Sequence, residues 1–313
     1  MMTAPIATAL ASLLCEREFD VAHISPGALA GLAPTLEPLP SVLAALDAWH
    51  LNSDAQARMA SPLRRPFYQL EARNVRRYIS RAFRPFRRVV MVSDEDARAL
   101  LELDPTLAVD VVPNGVDTQY LAPSPAVEPE EGLIVFTGAM QWAPNAEAAR
   151  FLATEVLPLL RSRRRRVRLA IVGRNPGPEI RGLAAIEEVE VTGEVPDIRH
   201  WLWRAQAFVC PMISGTGIKN KLLEALACGT PCVATPLSCQ GIRVSPGRDL
   251  LVADSATDLA AAVSRLLDDE DLRSELGRHG REAVVAGHGW DSVAYAYEKI
   301  YELAVAEKAP EVF

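Results

Sequence analysis

No Cys-x-x-Cys pair occurs in the chain, and its cysteines number five: Cys15, Cys210, Cys228, Cys232 and Cys239. Neither a disulfide framework nor a zinc knuckle fits that count and spacing, and a reducing cytosol is the expected compartment. No apolar run approaches the roughly 20 residues that cross a bilayer. The apolar N-terminal stretch has no Lys or Arg ahead of it and sets Leu14 before Cys15, where a cleavage site would want a small residue. It is expected to be a helix of the mature protein. Basic residues are in deficit, 33 against 40 acids for a net charge of −7, which disfavours a dedicated nucleic-acid binder. What remains is ordinary globular usage, 49% hydrophobic and 23% charged over 313 residues, enough for two domains with a core each.

Short β-rich runs alternate with helical stretches. The candidate strands are 19–25, 41–47, 87–93 and 109–114, then 132–138, 168–173, 189–195, 207–212, 231–235 and 249–253. Many are unbroken apolar runs, such as Arg168-Leu-Ala-Ile-Val-Gly173, which is how strands buried on both faces read. Helices between them argue parallel βαβ units and an α/β fold. The composition shifts once, at 121–132, where three prolines and three acids make a semi-rigid linker. Three segments follow: a shortened first domain at 1–122, a second domain at 123–290, and a C-terminal helix at 291–313 that either closes the second domain or crosses back to the first. That helix carries Val293, Tyr297, Ile300 and Tyr301 on one face.

Two basic runs stand out. Between Arg58 and Arg88, arginines are interleaved at helical spacing with Phe67, Leu70, Val75, Ile79, Ala82 and Phe83. The readings are a solvated helix face or a basic face for a membrane surface or phosphorylated acceptor. The run from Arg161 to Arg168 precedes a strand, where a charged helix end is common.

The most informative stretch is Ile213-Ser-Gly-Thr-Gly-Ile-Lys-Asn-Lys-Leu-Leu-Glu-Ala-Leu-Ala-Cys-Gly-Thr-Pro-Cys-Val-Ala-Thr235. It reads as strand end, glycine loop, helix and next strand. Small residues let a ligand approach the backbone, and a helix start offers unpaired N–H groups and partial positive charge to an anion. Lys219 and Lys221 sit in that first turn, where cations oppose the helix dipole; a bound phosphate would explain them, and two solvent-facing lysines are the competing reading. Glu224 lies on the same side as Asn220 and Lys221, placed to accept both hydroxyls of a ribose.

This helix resembles the donor-site signature of glycosyltransferase family 4, in the subgroup with a Gly-Ile-x-Asn-Lys-x-Leu-Glu-Ala start. Phe136-Thr-Gly-Ala-Met-Gln-Trp-Ala-Pro-Asn145, Ile171-Val-Gly-Arg174, Val191-Thr-Gly-Glu-Val195 and Pro113-Asn-Gly-Val-Asp117 fall in the family's order, so the resemblance runs from about 87 to 303. It implies the GT-B fold of two Rossmann-like domains with parallel sheets, the first shortened here. It also implies retaining transfer from a nucleotide-sugar without a metal or cofactor. By resemblance, Glu224 holds the ribose; Thr216, Gly217, Lys219 and Lys221 surround diphosphate and sugar; Gly138 lies near the phosphates; Gly193, Glu194 and Val195 flank the base; Gln240 and Gly241 belong to a loop, 238–242, near the sugar; and Arg174 and Asn220 are further donor-binding candidates.

The chain departs from the family twice. Thr216 stands where many members have the first of two glutamates separated by seven residues. Ala139 replaces an arginine after the first strand of the donor domain, and Asn145 lies near a usual lysine; Lys219 and Lys221 on the facing helix are expected to supply that charge to the departing phosphate as catalytic groups. In the first domain, Asp47 falls nearest a family histidine that faces the reacting sugar, and His50 is three residues on; either is a candidate catalytic group, and Asp47 capping the next helix is the alternative. A shortened parallel sheet has an open edge, so a second copy or separate subunit is expected to cover it. The expected setting is cytoplasmic, including the inner face of the membrane. The alternatives to a transferase are a non-catalytic GT-B-like subunit and a nucleotide-sugar epimerase; the helix motif favours transfer over the epimerase.

Overall fold

The computed structural model describes residues 4–163, 166–215 and 217–307. They form two compact units, 1–113 with 293–313, and 114–292. The division falls ahead of the proline-rich segment, and the reason is visible within the second unit. Leu121 is buried in its core, Arg281 donates to the carbonyls of Leu121 and Thr118, and Trp203 Nε1 donates to Ala122 O at 2.8 Å.

In the first unit, β1 (Ala22–Ile24), β2 (Ser41–Leu46), β3 (Arg88–Met91) and β4 (Val109–Val111) lie side by side in chain order, all parallel. Successive side chains alternate across the sheet. Leu43, Val89 and Met91 meet Val75, Ile79 and Phe83 on one face. Val42, Val90 and Val112 meet Val293, Ile300 and Ala304 of the C-terminal helix Trp290–Ala306 on the other. Among the described residues β1 pairs only with β2, leaving its outer side unpaired. The N-terminal stretch forms α1 (Ala4–Glu16), with Leu10 and Leu14 against the core. The basic segment forms α2 (Trp49–Met59) and α3 (Arg65–Ala82), packed on each other, and α4 (Asp94–Leu103) follows β3.

The second unit holds β5 (Leu133–Thr137), β6 (Arg168–Val172), β7 (Val189–Gly193), β8 (Ala207–Cys210), β9 (Cys232–Ala234) and β10 (Leu251–Val252). Their spatial order is β10-β9-β8-β5-β6-β7, with every pairing parallel. The chain starts in the middle, walks to one edge, returns beside β5 and walks to the other. Such a reversal leaves a crevice at the carboxyl ends of the two central strands, β5 and β8, where ligands of open α/β sheets bind. β5 is buried at every position, as its unbroken apolar run requires. Around the sheet lie α5 (Ala143–Phe151), α6 (Asn220–Ala227), α7 (Ala256–Asp268) and α8 (Glu270–His288). Three arginines of the second basic run form surface ion pairs, Arg161 with Glu187, Arg166 with Glu131 and Arg168 with Glu130. No described helix is long and apolar enough to cross a membrane.

The ends of β5 and β6 approach unusually closely. Gly173 has φ +147°, and a Cβ there would fall 1.8 Å from Gly138 O. Gly173→Ala therefore forces two strand ends apart and is expected to cost about 3 kcal/mol or more, read as a lower urea midpoint. An unchanged midpoint would refute the close approach.

Candidate functional site

Three glycines step across the rim of the sheet. Gly138 N donates to Val172 O at 3.0 Å, Gly173 N to Gly193 O at 3.0 Å, and Met140 N to Arg174 O at 2.9 Å. The backbone is bare there, as a ligand in close approach needs. Across the crevice, the end of β8 is clasped from beneath: Thr235 Oγ1 donates to Met212 O at 2.6 Å and Ser238 Oγ to Cys210 O at 2.6 Å. The glycine loop then turns into α6 with Gly215 at φ +96° and Gly217 at φ +73°. Ser214 Oγ donates to Glu147 Oε2 at 2.5 Å and anchors the loop to α5. α6 buries Leu222, Leu223, Ala225 and Leu226, and Gly229 follows its end at φ +73°.

Between these walls lies a cavity of about 610 Å³, within the range of small-ligand sites. Of the residues expected at the site, Gly138, Arg174, Glu194, Val195, Lys219, Asn220, Lys221 and Glu224 line it together, with Asn145. Gly193, at the rim, is bonded to Gly173 N and is not part of the cavity lining. Gly217 holds the loop through its carbonyl. Gln240, exposed, and Gly241, at φ +72°, follow the helical turn Pro236–Cys239 and are not part of the cavity lining. Thr216 lies outside the described residues.

The two lysines do different work. Lys219 is buried, and its ammonium donates to Gly215 O at 3.2 Å and Gly217 O at 2.6 Å, bracing the loop. Lys221 reaches the crevice itself. Its Nζ bonds Asn145 Oδ1, lies 3.6 Å from Met212 Sδ, and stands 4.8 Å from the Phe136 ring centroid. Among the described residues it has no ion pair. Burial pulls its pKa below that of an ordinary lysine, opposed by Cys210 and Glu224 and reinforced by Lys219. Glu224 lies half-buried one turn further on; burial raises its pKa, partly offset by Lys221, and its carboxylate has no hydrogen-bond partner among the described residues. Asn220 Oδ1 accepts from Asn114 Nδ2 at 3.0 Å.

Asp47 and His50 belong to the first unit, at the carboxyl end of β2. Asp47 is exposed, and its carbonyl accepts from Trp49 N at 2.8 Å. His50 is buried on α2 with Nδ1 unpartnered among the described residues; burial and the nearby Arg76 lower its pKa, while Asp54 opposes. The sequence reading passed over Trp142 and Ile198, which also line the cavity; Trp142, 60% exposed just before α5, lay inside a quoted motif, whereas nothing in the pattern marked Ile198.

Two parallel α/β units with this central crevice are the GT-B fold. Over 96% of the chain and 82% of the other, the structure superposes on Anabaena HepE in complex with UDP and glucose, with a TM-score of 0.73 at 14% identity. Residues 131–269 match the family model described as Glycosyl transferases group 1, so the second unit carries a domain of that group. The chain is 30% identical over 221 residues to the phosphatidyl-myo-inositol mannosyltransferase of Mycolicibacterium smegmatis, covering 68% of this chain and 56% of that protein. It is 30% identical over 266 residues to the D-inositol 3-phosphate glycosyltransferase of Kineococcus radiotolerans, covering 72% of this chain and 59% of that one. The chain thus spans little more than half the length of these curated relatives.

An ammonium half-buried without a carboxylate carries a desolvation cost. Because the folded pKa of Lys221 is lowered, the unfolded chain binds more protons between that value and the ordinary one of 10.5. The cost is fully present below the folded pKa and is relieved as pH rises through the window. Lys221→Met is therefore expected to leave the ligand-free chain at pH 7 as stable as before, or more stable by about 1 kcal/mol. Lys219→Met, which loses the loop brace, lowers the melting temperature. A large loss with Lys221→Met would show that the ammonium serves the fold.

Proposed function

We propose that the chain transfers a sugar from a nucleotide-diphosphate donor to an acceptor hydroxyl, with retention of anomeric configuration and without a metal. The observation that carries this is the half-buried Lys221 ammonium, unpaired with any described carboxylate, in the crevice between β5 and β8. The diphosphate would lie against the bare glycine rim and the start of α6, with the ribose hydroxyls donating to Glu224. As the bond from the sugar carbon to the diphosphate oxygen breaks, negative charge collects on that oxygen and the ammonium stabilises it, the kind of preorganised contact that carries most of a catalytic effect. The acceptor hydroxyl adds from the same face, and its proton passes to the departing oxygen. The bound UDP of the Anabaena protein suggests UDP-sugars as first donors to try, with GDP-sugars beside them, and the names of the curated relatives suggest inositol phosphates as acceptors.

Calorimetry with UDP and GDP, followed by transfer assays in EDTA, tests this reading. Binding is expected to peak between the raised pKa of Glu224 and the lowered pKa of Lys221: it weakens in acid as Glu224 protonates and in alkali as Lys221 loses its proton. Glu224→Gln should lose about tenfold in affinity, as for a hydrogen bond to a charged group. No binding of either nucleotide would reject the donor reading; tight binding with neither transfer nor donor hydrolysis would favour a non-catalytic subunit.

A membrane-borne acceptor is part of the proposal. On α3 and the turn before it, Leu63 is 96%, Phe67 67% and Leu70 55% exposed, while Arg73, Arg77 and Arg81 stand exposed further along. An apolar wedge flanked by arginines suits an anionic lipid surface. The chain is expected to sediment with anionic but not neutral vesicles, and Phe67→Ser with Arg77→Glu to abolish it; equal sedimentation with both vesicles would count against the patch.

A further inference from the structure

Resting on the donor reading, a finer arrangement is visible opposite Lys221. Asn145 is buried in the first turn of α5, only 7% exposed. Its Nδ2 donates to Ala139 O at 3.0 Å, which fixes the amide and leaves Oδ1 aimed at the Lys221 ammonium. The space they share is tight: a Cβ on Gly138 would come within 2.8 Å of Asn145 Nδ2 and 3.3 Å of Lys221 Nζ. Lysine offers three N–H donors. Asn145 and Met212 take two of them, and Lys221 also lines the cavity. A lysine at position 145 would set a second ammonium within hydrogen-bond reach of the first, with no described carboxylate between them. Like charges that close in a partly buried site repel strongly. The site thus accommodates a cation from one wall and a neutral acceptor from the other.

We propose that positions 145 and 221 form a single cation seat, filled here from α6, and that Asn145 is the positioning residue that turns the Lys221 ammonium toward the departing diphosphate. The helix side supplies the charge that the strand side, with Ala139 and Asn145, lacks. Asn145 itself transfers no proton.

The test exchanges the two side chains. Calorimetry with UDP, GDP and uridine is run on the unmutated chain, Lys221→Asn, Asn145→Ala and the exchanged pair Asn145→Lys with Lys221→Asn. Lys221→Asn is expected to lose at least about tenfold in diphosphate affinity with uridine nearly unchanged, as for a lost charge-assisted bond. The exchanged pair recovers most of it. Asn145→Ala shifts the alkaline limb of UDP binding to lower pH, because the ammonium loses its acceptor while Lys219, Glu224 and Cys210 around it are unaltered. A merely structural role would weaken binding without moving that limb. An exchanged pair that melts cooperatively yet binds as poorly as Lys221→Asn overturns the proposal. So does Asn145→Ala with an unmoved alkaline limb, which decides the matter if the exchanged pair does not fold. Should the unmutated chain bind neither nucleotide, the donor reading falls and this proposal with it; binding by the unmutated chain with failed exchange overturns only the seat.

Discussion

A half-buried positive charge with no ion pair among the described residues is the constraint on which the site in the second unit depends. Gly138 leaves room beside the Lys221 ammonium, Thr235 fixes the carbonyl of Met212 whose sulfur lies against it, and Asn145 accepts from it. A fold selected for stability alone would place an apolar side chain there. Sites that work against local stability are where function concentrates.

The second sheet supports that point through its topology. β5 and β8 are neighbours in space, with two strands and their crossovers between them in the chain, so the rim glycines and the α6 loop come from distant segments. The first unit is built differently. Its four strands follow chain order without a reversal, and its sheet is covered on one face by the C-terminal helix. Asp47 and His50 sit there at a strand end, one exposed and one buried, so only Asp47 has the solvent access that contact with a substrate needs.

Much of the fold was legible because burial on both faces leaves a simple mark. Each candidate strand window contains one observed strand, and runs such as 168–172 are apolar because helices cover the sheet on both sides. The face Val293, Tyr297, Ile300 and Tyr301 was readable from periodicity, and it packs on the first sheet. The division between the units was less so: a proline-rich composition marks a stiff segment, but Leu121 and the carbonyls of Thr118 and Ala122 are bound to the second unit by residues far along the chain. In the site, spacing placed both lysines at the start of α6 but could not tell their directions. Lys219 turns back to the loop and Lys221 forward to the crevice because Gly215 and Gly217 present carbonyls to one and Asn145 presents an amide to the other. Those contacts depend on backbone torsions that no pattern of residue types encodes.

The brace that Lys219 makes across its own loop has a kinetic consequence. With the carbonyls of Gly215 and Gly217 already gathered by one ammonium, those two glycines have less freedom to lose when a guest arrives. Capture then resembles docking into a mould already set, with encounter rate governed by diffusion and electrostatic steering rather than by the ordering of a slack segment.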